Sequence, residues 1–591
     1  MDVKGIKIKK VSIALFVLAL ACLAGLLPPV REAVIALAAG ILSKGLRTMD
    51  SEKLIKMNLY LTHWSATGLT MFALLGFLLS AGDKSDFVPD GFEKLKANKR
   101  IVVALFVVYI VALYPLFRAN FNYDDDTQRV LEGNPFWDHF SRYVSTFLSV
   151  FVDMNLLLID SSPLTQLLAI CFLVCASVTV ILAVRQINQE AVLSLWDVTA
   201  IIPLGLCPYF LQCISYKFDS PYIALSVLVS VLPLLFRGRK TALYCGISVF
   251  CLLIMCMTYQ ASAGIFPMFV LLLAFLMWYK GEDVKQIGIF VAKSAVSYII
   301  AVGWFYLFLM IPAAKVPGAY YSESIASFGV IIFHYKMFIA LLASDFKLLW
   351  LLLIAALSIW FVASSVLESK RNKAASFVFS AVVVWLMFLL SFGVYPAMKS
   401  PSKDPRSMYG VGVFIALVGI GNVAILRGKW LTRGLTLVLS WAFLAFACIY
   451  GNALSYQNEY TNFRISEALY DLTDLDEFNT QDDKFVQVVG SAGHSPLVLA
   501  MARNSNAPIL KRLVIPMFHG THVMGAMKFA EYFGLNAYWT RNPAKFDYQD
   551  WNLVHESHYH KIYYSENRFV VELTAPQTTD TRKLQRNYTP R

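Results

Sequence analysis

Apolar runs of roughly membrane-spanning length recur along most of this 591-residue chain. A helix needs about 20 mostly apolar residues to cross the hydrocarbon core of a bilayer. Hydrophobic residues make up 58% of the sequence and charged residues only 15%, as expected for a polytopic α-helical membrane protein. We predict about thirteen transmembrane helices, within a range of about 11 to 14. The predicted helices begin near Val11, Leu61, Ile101, Pro163, Leu193, Tyr222, Ala242, Gly264, Ile287, Leu348, Phe377, Val411 and Leu435.

Lysine and arginine are concentrated in alternate loops, which is the pattern expected of cytoplasmic loops. The basic segments are residues 1–10, 83–100, 185–192, 237–240, 280–285, 368–373 and 427–433. We therefore predict a protein of the bacterial inner membrane with a cytoplasmic N-terminus and with its other loops and its C-terminus in the periplasm. The first run lacks a small-residue cleavage site and is expected to be an anchor. Topology explains the net charge of +12, so no nucleic-acid partner is predicted.

Two further apolar runs are not counted as membrane spans. Residues 144–158 are short and contain Asp153, and residues 328–342 are interrupted by His334 and Lys336. Counting either run alone would break the alternation of basic loops. We predict interfacial or re-entrant helices at both places.

The composition becomes polar near the C-terminus. This change divides the chain into a predicted transmembrane domain, residues 1–457, and a predicted soluble periplasmic domain, residues 458–591. The second region has two strand patterns and one helix pattern, at residues 485–491, 566–574 and 522–534 respectively. We predict a small α/β domain, with a disordered polar tail at residues 578–591.

Neither the cysteines nor the histidines favour a cross-linked or metal-bound domain. All nine cysteines lie in or beside apolar runs, so a disulfide framework is not expected. His555, His558 and His560 lie close together in HESHYH and raise the question of a zinc site. Because no cysteine is nearby and no second ligand set has a standard spacing, we favour a solvated histidine cluster and predict no metal.

Three consecutive carboxylates, Asp124 to Asp126, follow the third predicted membrane helix in the sequence FNYDDDTQRV. The simplest interpretation is a solvated loop whose acidic run pairs with Arg129. The alternative is a general base in a catalytic outer loop, residues 118–162, which also holds Arg142 and Asp160. Carboxylates, arginines and aromatic residues together suit sugar and phosphate recognition, so the surroundings favour a functional loop.

Other outer loops supply polar candidates whose roles the residues alone leave open. Tyr216, Lys217 and Asp219 form either part of a binding site or a polar hairpin that caps two spans. Lys399 and Arg406 lie where the charge rule expects few cations, which fits a phosphate site or a short solvated loop. Gln260 could bind sugar or cap a helix end.

The order of these segments resembles that of a known family. YDDDTQR, FWDHFSRYVSTFL, SPLTQLLAI just after Asp160, ISYKFDSPYIALSVLVSVLPLL, YQASAGIF and DPRSMYG occur in comparable loops over roughly residues 100–460. This combination resembles the Gtr-type glucosyltransferases, the serotype-converting O-antigen glucosyltransferase family. The family's Asp-Asp-x-x-Arg signature falls on Asp125, Asp126 and Arg129, and Asp124 is an extra acid.

The resemblance implies a GT-C-like membrane glycosyltransferase without a cofactor. It implies that glucose moves from undecaprenyl phosphate glucose to a sugar of the lipid-linked O-antigen repeat of lipopolysaccharide, on the periplasmic side of the membrane. Asp125 and Asp126 would then be catalytic. The expected substrate-binding residues are Asp124, Arg129, Arg142, Asp160, Tyr216, Lys217, Asp219, Gln260, Lys399 and Arg406.

The chain itself also favours a lipid-linked donor over a nucleotide sugar. No predicted cytoplasmic loop exceeds about twenty residues, which leaves no room for a Rossmann-like nucleotide-binding domain. The rival functions are an O-antigen polymerase and a transporter of lipid-linked sugars. A transporter should show internal repeats or charges in the middle of its spans, and neither is clear in this sequence.

Overall fold

The fold is a computed structural model that describes residues 3–43, 51–88, 98–187, 193–310, 325–425, 430–521, 523–540 and 547–575. The predicted disordered tail at residues 578–591 lies outside these ranges. Parts of four predicted basic segments also lie outside them, namely residues 1–2, 89–97, 188–192 and 427–429.

Most of the described chain is helical. In chain order the α-helices are α1 (Val3–Gly25), α2 (Pro28–Ser43), α3 (Ser51–Ala81), α4 (Lys99–Ala119), α5 (Asp126–Glu132), α6 (Tyr143–Asp153), α7 (Leu164–Ile187), α8 (Leu195–Ile201), α9 (Pro203–Leu206), α10 (Pro208–Ser215), α11 (Ser220–Val231), α12 (Thr241–Cys256), α13 (Ile265–Lys280), α14 (Val284–Trp304), α15 (Phe328–Asp345), α16 (Leu348–Leu367), α17 (Lys373–Leu390), α18 (Gly410–Ile425), α19 (Trp430–Thr473), α20 (Asp476–Asn479), α21 (Pro496–Asn504), α22 (Ile509–Leu513) and α23 (Val523–Met527).

Within the described ranges, nine helices are long and apolar enough to cross a membrane, and up to eleven if each of two bent pairs is one span. The nine are Leu54–Ala81, Lys99–Ala119, Leu164–Ile187, Gln260–Lys280, Val284–Leu309, Phe328–Asp345, Leu348–Leu367, Lys373–Leu390 and Trp430–Thr473. The bent pairs are Val11–Gly25 with Pro28–Leu37, at 88°, and Leu195–Leu206 with Pro208–Ser215, at 58°. The structure therefore supports a multi-pass membrane protein. Among the described residues, the number of helices with the length and composition of a span is lower than the predicted thirteen.

The difference in count has a physical cause. Three predicted spans form shorter apolar helices, Ser220–Phe236, Thr241–Cys256 and Gly410–Ile425. Their residues are mostly buried among other helices, so their length is not set by contact with lipid. A fourth is broken at Pro203 and Pro208, because proline lacks the N–H group and disfavours a continuous helix.

The two apolar runs that were not counted as spans are both helical. The first, α6, is 11 residues long, too short to cross a bilayer. The second, α15, has the length and composition of a span. One of its ends contacts residues 395–403 directly, and the other contacts Arg512, which itself binds that segment. Ala326, just before α15, donates to the Ala397 carbonyl at 2.9 Å. At the other end Asp345 pairs with Arg512, which also donates to the Lys403 carbonyl. An interfacial or re-entrant position of α15 therefore stays a prediction.

Loops predicted to face the same side contact one another. On the predicted cytoplasmic side, Arg239 donates to the Val88 carbonyl at 3.0 Å, and Arg371 donates to the Glu282 carbonyl at 3.2 Å. At the other end of the bundle, the segment after α4 contacts the α10–α11 turn, where Lys217 donates to Asn120 at 2.7 Å. These contacts fit the alternation of basic loops and leave the absolute orientation as a prediction.

The longest helix, α19, joins the membrane region to the C-terminal region. At about 1.5 Å per residue its 44 residues extend about 66 Å, roughly twice the hydrocarbon thickness. The predicted domain boundary at residue 457 lies inside this continuous helix. A side chain at Gly451 would overlap the backbone of Leu116, so glycine allows α19 to pack closely against α4 at the outer end of the bundle.

A five-stranded mixed sheet forms the core of the C-terminal region. Its strands are β1 (Phe485–Gly490), β2 (Tyr538–Trp539), β3 (Asn552–Glu556), β4 (His560–Ser565) and β5 (Arg568–Leu573), in the order β2-β1-β5-β4-β3. β1 is parallel to β2 and β5, whereas β4 is antiparallel to β3 and β5. The two predicted strands are confirmed as β1 and β5, and the described part of the predicted helix is helical from Val523 to Tyr532, with Gly534 at φ +71°.

Apolar packing connects the C-terminal sheet to the helix bundle. Ile465 and Leu472, on the last turns of α19, lie in the apolar core of the sheet. Leu510 and Leu513, on α22, belong instead to the large apolar core of the helical bundle. The sheet and the helix bundle are therefore joined by shared apolar packing as well as by the chain.

Our topology predicts opposite labelling of two exposed positions. In a background without reactive native cysteines, Asp482→Cys should react with a membrane-impermeant thiol reagent in spheroplasts, because the C-terminal region is predicted to be periplasmic. Lys240→Cys, the matched control in a predicted cytoplasmic loop, should react only after lysis. The reverse pattern would invert the topology.

Candidate functional site

The acidic loop begins where α4 ends. Asn120 adopts a left-handed conformation with φ 43°, which stops the helix and turns the chain across the end of the bundle. Asp124 is also left-handed, with φ 48°, and α5 starts two residues later. These two bends bring the loop onto the turn between α10 and α11, so that residues about ninety positions apart in sequence become neighbours.

The three consecutive acids have three different environments. Asp124 accepts a hydrogen bond from the Tyr216 hydroxyl at 2.8 Å, and its carboxylate is 3.9 Å from the Arg406 guanidinium. Asp125 pairs with Arg129 at 2.8 Å. Asp126 points inward. This divergence limits the repulsion that three adjacent carboxylates would otherwise suffer.

Asp126 is completely buried and holds the backbone of the loop. Its Oδ2 atom accepts the backbone N–H groups of Tyr123, at 2.9 Å, and of Lys217, at 3.3 Å. Burial, and then the charge of Asp125, raise the pKa of Asp126 well above its ordinary value. The enclosed position makes Asp126 a positioning residue for the loop and for the α10–α11 turn.

Among the three consecutive acids, Asp125 has the most exposed side chain and also a raised pKa. Its side chain is one-third exposed, and one oxygen, Oδ2, is held by Arg129. The other oxygen, Oδ1, is buried and has no hydrogen-bond partner among the described residues. Burial, against the opposing charge of Arg129 and with smaller contributions from Asp219 and Asp124, raises the pKa of Asp125 to about 6. A carboxylate with this pKa is ionised at neutral pH and can still accept a proton.

Arg129 is enclosed by its partners. Its two terminal nitrogens pair with Asp125 and Asp219, its guanidinium lies 5.0 Å from the Trp137 ring centroid, and its side chain is 4% exposed. The Trp137 indole donates to the other oxygen of Asp219 at 2.5 Å. Because two carboxylates already neutralise it, we do not retain Arg129 as a phosphate ligand.

Lys217 is likewise satisfied by protein groups. Its ammonium donates to Asn120 and Asn122, both at 2.7 Å, and pairs with Asp160 at 3.1 Å. Burial opposes ionisation of Asp160, but hydrogen bonding by Ser162 and the charge of Lys217 outweigh it and lower the Asp160 pKa. Lys217 also lines a cavity of about 260 Å³ between the end of α4, the start of α7 and the middle of α19.

Arg142 lies among aromatic rings and has no carboxylate partner in the described chain. Its guanidinium is 4.6 Å from the centroid of Tyr259 and 5.0 Å from that of Phe140. Its Nε donates to the Gln260 side chain at 3.2 Å, and Gln260 in turn donates to the Phe140 carbonyl at 2.9 Å. Gln260 therefore orients this arginine. This role differs from both sugar binding and helix capping, the two alternatives that the sequence left open.

Arg406 is held in a similar way. Its guanidinium lies 4.6 Å from the Tyr216 ring centroid, while its carboxylate neighbours Asp124 and Asp404 are 3.9 and 3.7 Å away, beyond hydrogen-bonding distance. The backbone N–H of Arg406 donates to the Gln212 side chain at 2.6 Å. Arg142 and Arg406 act electrostatically on the same tyrosines, Tyr259 and Tyr395, so the two cations flank one aromatic group.

The structure therefore assembles most of the predicted site. Two groups result: the acids with the α10–α11 turn, and the two arginines with their aromatic platforms. They meet at Tyr216 and Asp124. Lys399 is not assembled with them, because it is exposed and takes part in none of the described ion pairs.

Sequence reasoning missed the contribution of the C-terminal region. The Tyr123 hydroxyl donates to the Leu513 carbonyl at 2.7 Å and accepts from Gln212 at 2.8 Å. Lys528 is 5% exposed and pairs with no carboxylate among the described residues, and burial, with the nearby charge of Lys217, lowers its pKa to about 8. Nothing in the local sequence around Lys528 distinguishes it from a lysine on a surface helix.

Comparison with known proteins agrees with the resemblance of the loop motifs. A family model described as Glucosyl transferase GtrII matches residues 113–417, just over half of the chain. The chain belongs to this family. The matched range contains every predicted site residue of the GtrII-family protein and ends before α19 and the C-terminal sheet. It is therefore a membrane glycosyltransferase by family.

One curated relative and the solved structures complete the comparison. A protein of Salmonella phage P22, described as an uncharacterized 55.3 kDa protein in the gtrB 5'region, is 24% identical over 338 residues, which cover 54% of this chain and 68% of the relative. No solved structure matches the chain. The GT-C-like fold therefore stays a prediction.

The environment of Arg129 yields a stability prediction. Arg129→Gln should leave Asp125 and Asp219 without their shared counter-charge and lower the free energy of unfolding by about 2–3 kcal/mol. This is below the roughly 3–5 kcal/mol of a wholly buried pair, since the carboxylates are partly exposed. The measurement is thermal unfolding in detergent. The exposed Arg503→Gln is the matched control, and equal melting temperatures for the two variants would contradict the assignment.

Proposed function

We propose that this protein transfers glucose from undecaprenyl phosphate glucose to a sugar of the lipid-linked O-antigen repeat at the periplasmic face of the inner membrane. The supporting observation is a partly exposed carboxylate with a raised pKa, Asp125, close enough to Arg406 to feel its charge. Arg406 and Arg142 act on the same tyrosines, and neither has a carboxylate hydrogen bond in the described chain. A base and an anion clamp are the two functions that transfer from a sugar phosphate requires.

Asp125 is the proposed general base. It takes the proton of the acceptor hydroxyl as the acceptor oxygen bonds to the anomeric carbon. The bond between that carbon and the phosphate oxygen breaks, and the phosphate leaves with the electron pair. The two signature acids have different roles, because Asp126 holds the loop in place and does not contact the sugar. Asp124, which Tyr216 orients, is the proposed contact to a sugar hydroxyl.

Arg142 and Arg406 are the proposed phosphate clamp. Each guanidinium lies over a tyrosine ring, 4.6 Å from its centroid, a contact that positions the group and leaves N–H donors for an anion. The pair neutralises the charge that develops on the leaving phosphate. Lys528, buried on the side of the C-terminal region, adds positive potential near Lys217. Asp160 and Lys217 hold the neighbouring turn in place.

An apolar groove suits the isoprenoid tail of the donor. The groove has a volume of about 880 Å³ and lies mainly between α16 and α17, with Leu342 and Phe414 at its border. Tyr409 lies five residues before Phe414 in the chain, and its ring stacks on that of Tyr259 with the centroids 6.1 Å apart. The guanidinium of Arg142 lies over the Tyr259 ring. A tail in this groove would therefore place its phosphate near the two arginines.

The rival functions differ in their products. A polymerase would change the length of the polysaccharide chain, and a transporter would move a lipid-linked sugar without forming a glycosidic bond. The family match favours glycosyl transfer over both. Mass spectrometry of lipopolysaccharide from cells with and without the gene should show one added hexose per repeat. A change in chain length alone would favour polymerisation, and no change in either would contradict transfer.

The base assignment predicts a large loss of turnover on substitution. Asp125→Asn keeps the shape of the side chain but cannot accept the proton, so transfer from purified undecaprenyl phosphate glucose should fall about 10²–10⁴-fold with donor binding largely retained. Asp124→Asn should weaken substrate binding more than turnover. The exposed Asp482→Asn is the control. Full activity of Asp125→Asn would remove Asp125 as the base.

The same assignment predicts a pH dependence. The base is active when ionised, so kcat/KM should fall as the pH decreases through about 6, the pKa of Asp125 in the free protein. Arg406→Gln should move this acidic limb to higher pH, because Arg406 favours the ionised carboxylate. An acidic limb that Asp125→Asn leaves unchanged would belong to another group.

The clamp predicts that lysine cannot replace arginine. Arg142→Lys and Arg406→Lys each exchange a planar, stacked donor for a point charge, so the KM for the donor should rise roughly 10-fold or more. Arg503→Lys, on the exposed surface of α21, should have no effect. Unchanged donor dependence in both site variants would place the phosphate elsewhere.

A further inference from the structure

The histidine cluster in the C-terminal region does not have the solvated environment that its sequence predicts. His560, the first residue of β4, is completely buried, and His555 on β3 is partly buried. Only His558, in the turn between the strands, is exposed. The rings of His555 and His560 stack with their centroids 5.5 Å apart, so that the β3–β4 hairpin presents both rings to one side.

The third member of the cluster comes from α19. Asp471 lies in the last turn of that helix, more than eighty residues before the hairpin. Its Oδ2 atom is 3.0 Å from the Nε2 atom of His555 and 3.1 Å from that of His560. All three ligand atoms lie within 4.8 Å of one another. Two imidazole nitrogens and one carboxylate oxygen thus converge on a single point.

The distances from Asp471 are those of ion pairs, but the hydrogen-bond geometry within the cluster is poor. The two Nε2 atoms are buried, and neither has a hydrogen-bond partner of acceptable geometry among the described residues. Polar atoms that are buried in this way normally have partners. Ligands of a four-coordinate Zn²⁺ ion, at about 2.0–2.2 Å from the metal, are separated from one another by about 3.3 Å. The observed distances are close to this value.

We propose that Asp471, His555 and His560 bind one first-row transition-metal ion, such as Zn²⁺. The combination of imidazole and carboxylate ligands suits this class of ion and not Ca²⁺ or Mg²⁺, which prefer oxygen ligands. Three protein ligands leave one position for water or another ligand. Ser557 Oγ lies 3.5 Å from Nδ1 of His560, on the side of the ring away from the ion, where an outer partner would orient the ligand.

The ion would fasten the sheet to the helix that carries it. Arg464, two turns before Asp471 on α19, already donates to the carbonyls of Tyr559 and Thr574 on the same side of the sheet. A metal at Asp471 adds a second attachment between α19 and the β3–β4 hairpin. The site lies outside the range matched by the family model, and it stands independently of the proposed glucosyl transfer.

The test is metal binding by the purified full-length protein with an affinity tag that contains no histidine. After equilibrium dialysis against Zn²⁺, elemental mass spectrometry should find one ion per chain. Asp471→Asn, His555→Gln and His560→Gln should each weaken binding by more than the roughly 10–100-fold that loss of an outer-shell partner costs. His558→Gln, the matched control in the same hairpin, should bind like the wild type.

Thermal unfolding in detergent provides a second readout. Zn²⁺ should raise the melting temperature of the wild type and of His558→Gln, and should not raise that of the three ligand variants. His560 is buried; if His560→Gln does not fold, the test relies on Asp471→Asn, because Asp471 is partly exposed at the end of α19. The proposal is overturned if the wild type binds no stoichiometric ion, or if Asp471→Asn binds Zn²⁺ as tightly as His558→Gln does.

Discussion

The ion pairs of Arg129 with Asp125 and Asp219 are the interaction on which the candidate site depends. They join α5 to the turn between α10 and α11, and Trp137 closes the group by donating to Asp219. A guanidinium enclosed in this way costs desolvation energy, which its two carboxylates and the aromatic ring offset. The same pairs leave one oxygen of Asp125 without a hydrogen-bond partner among the described residues, so the element that holds the loop together also prepares its candidate base.

Charge is distributed around this group according to exposure. The enclosed groups Arg129, Asp126 and Lys217 bind neighbouring protein groups and hold the loop and the α10–α11 turn together. The more accessible arginines, Arg142 and Arg406, rest on tyrosine faces and lack hydrogen bonds to carboxylates of the described chain. Rigid donors near a partly exposed acid form the kind of preorganised electrostatic site that stabilises developing charge in a transition state. The C-terminal region closes it through Leu513 and Lys528.

The features of the fold that could be predicted from the sequence are those encoded in local residue patterns. Apolar length and basic loops located the helices, and residues near each helix end identified the acidic loop, the α10–α11 turn and Arg406. The count of spans differed because buried helices such as α18 are free to be shorter than lipid-facing ones. Arg129 could not be distinguished from Arg142 by sequence, because their roles depend on which carboxylates the fold brings close. The convergence of Asp471 with His555 and His560, on which the proposed metal site rests, could not be predicted for the same reason: Asp471 is remote from the histidines in the chain.

The most direct test of the proposed site is a cryo-electron microscopy structure of the protein in lipid nanodiscs with undecaprenyl phosphate glucose bound. We expect phosphate density within hydrogen-bonding distance of the guanidinium groups of Arg142 and Arg406, with the glucose facing Asp125 and the isoprenoid tail in the groove between α16 and α17. Phosphate density at the opposite end of the bundle, or away from both arginines with Asp125 remote from the sugar, would contradict the proposed site.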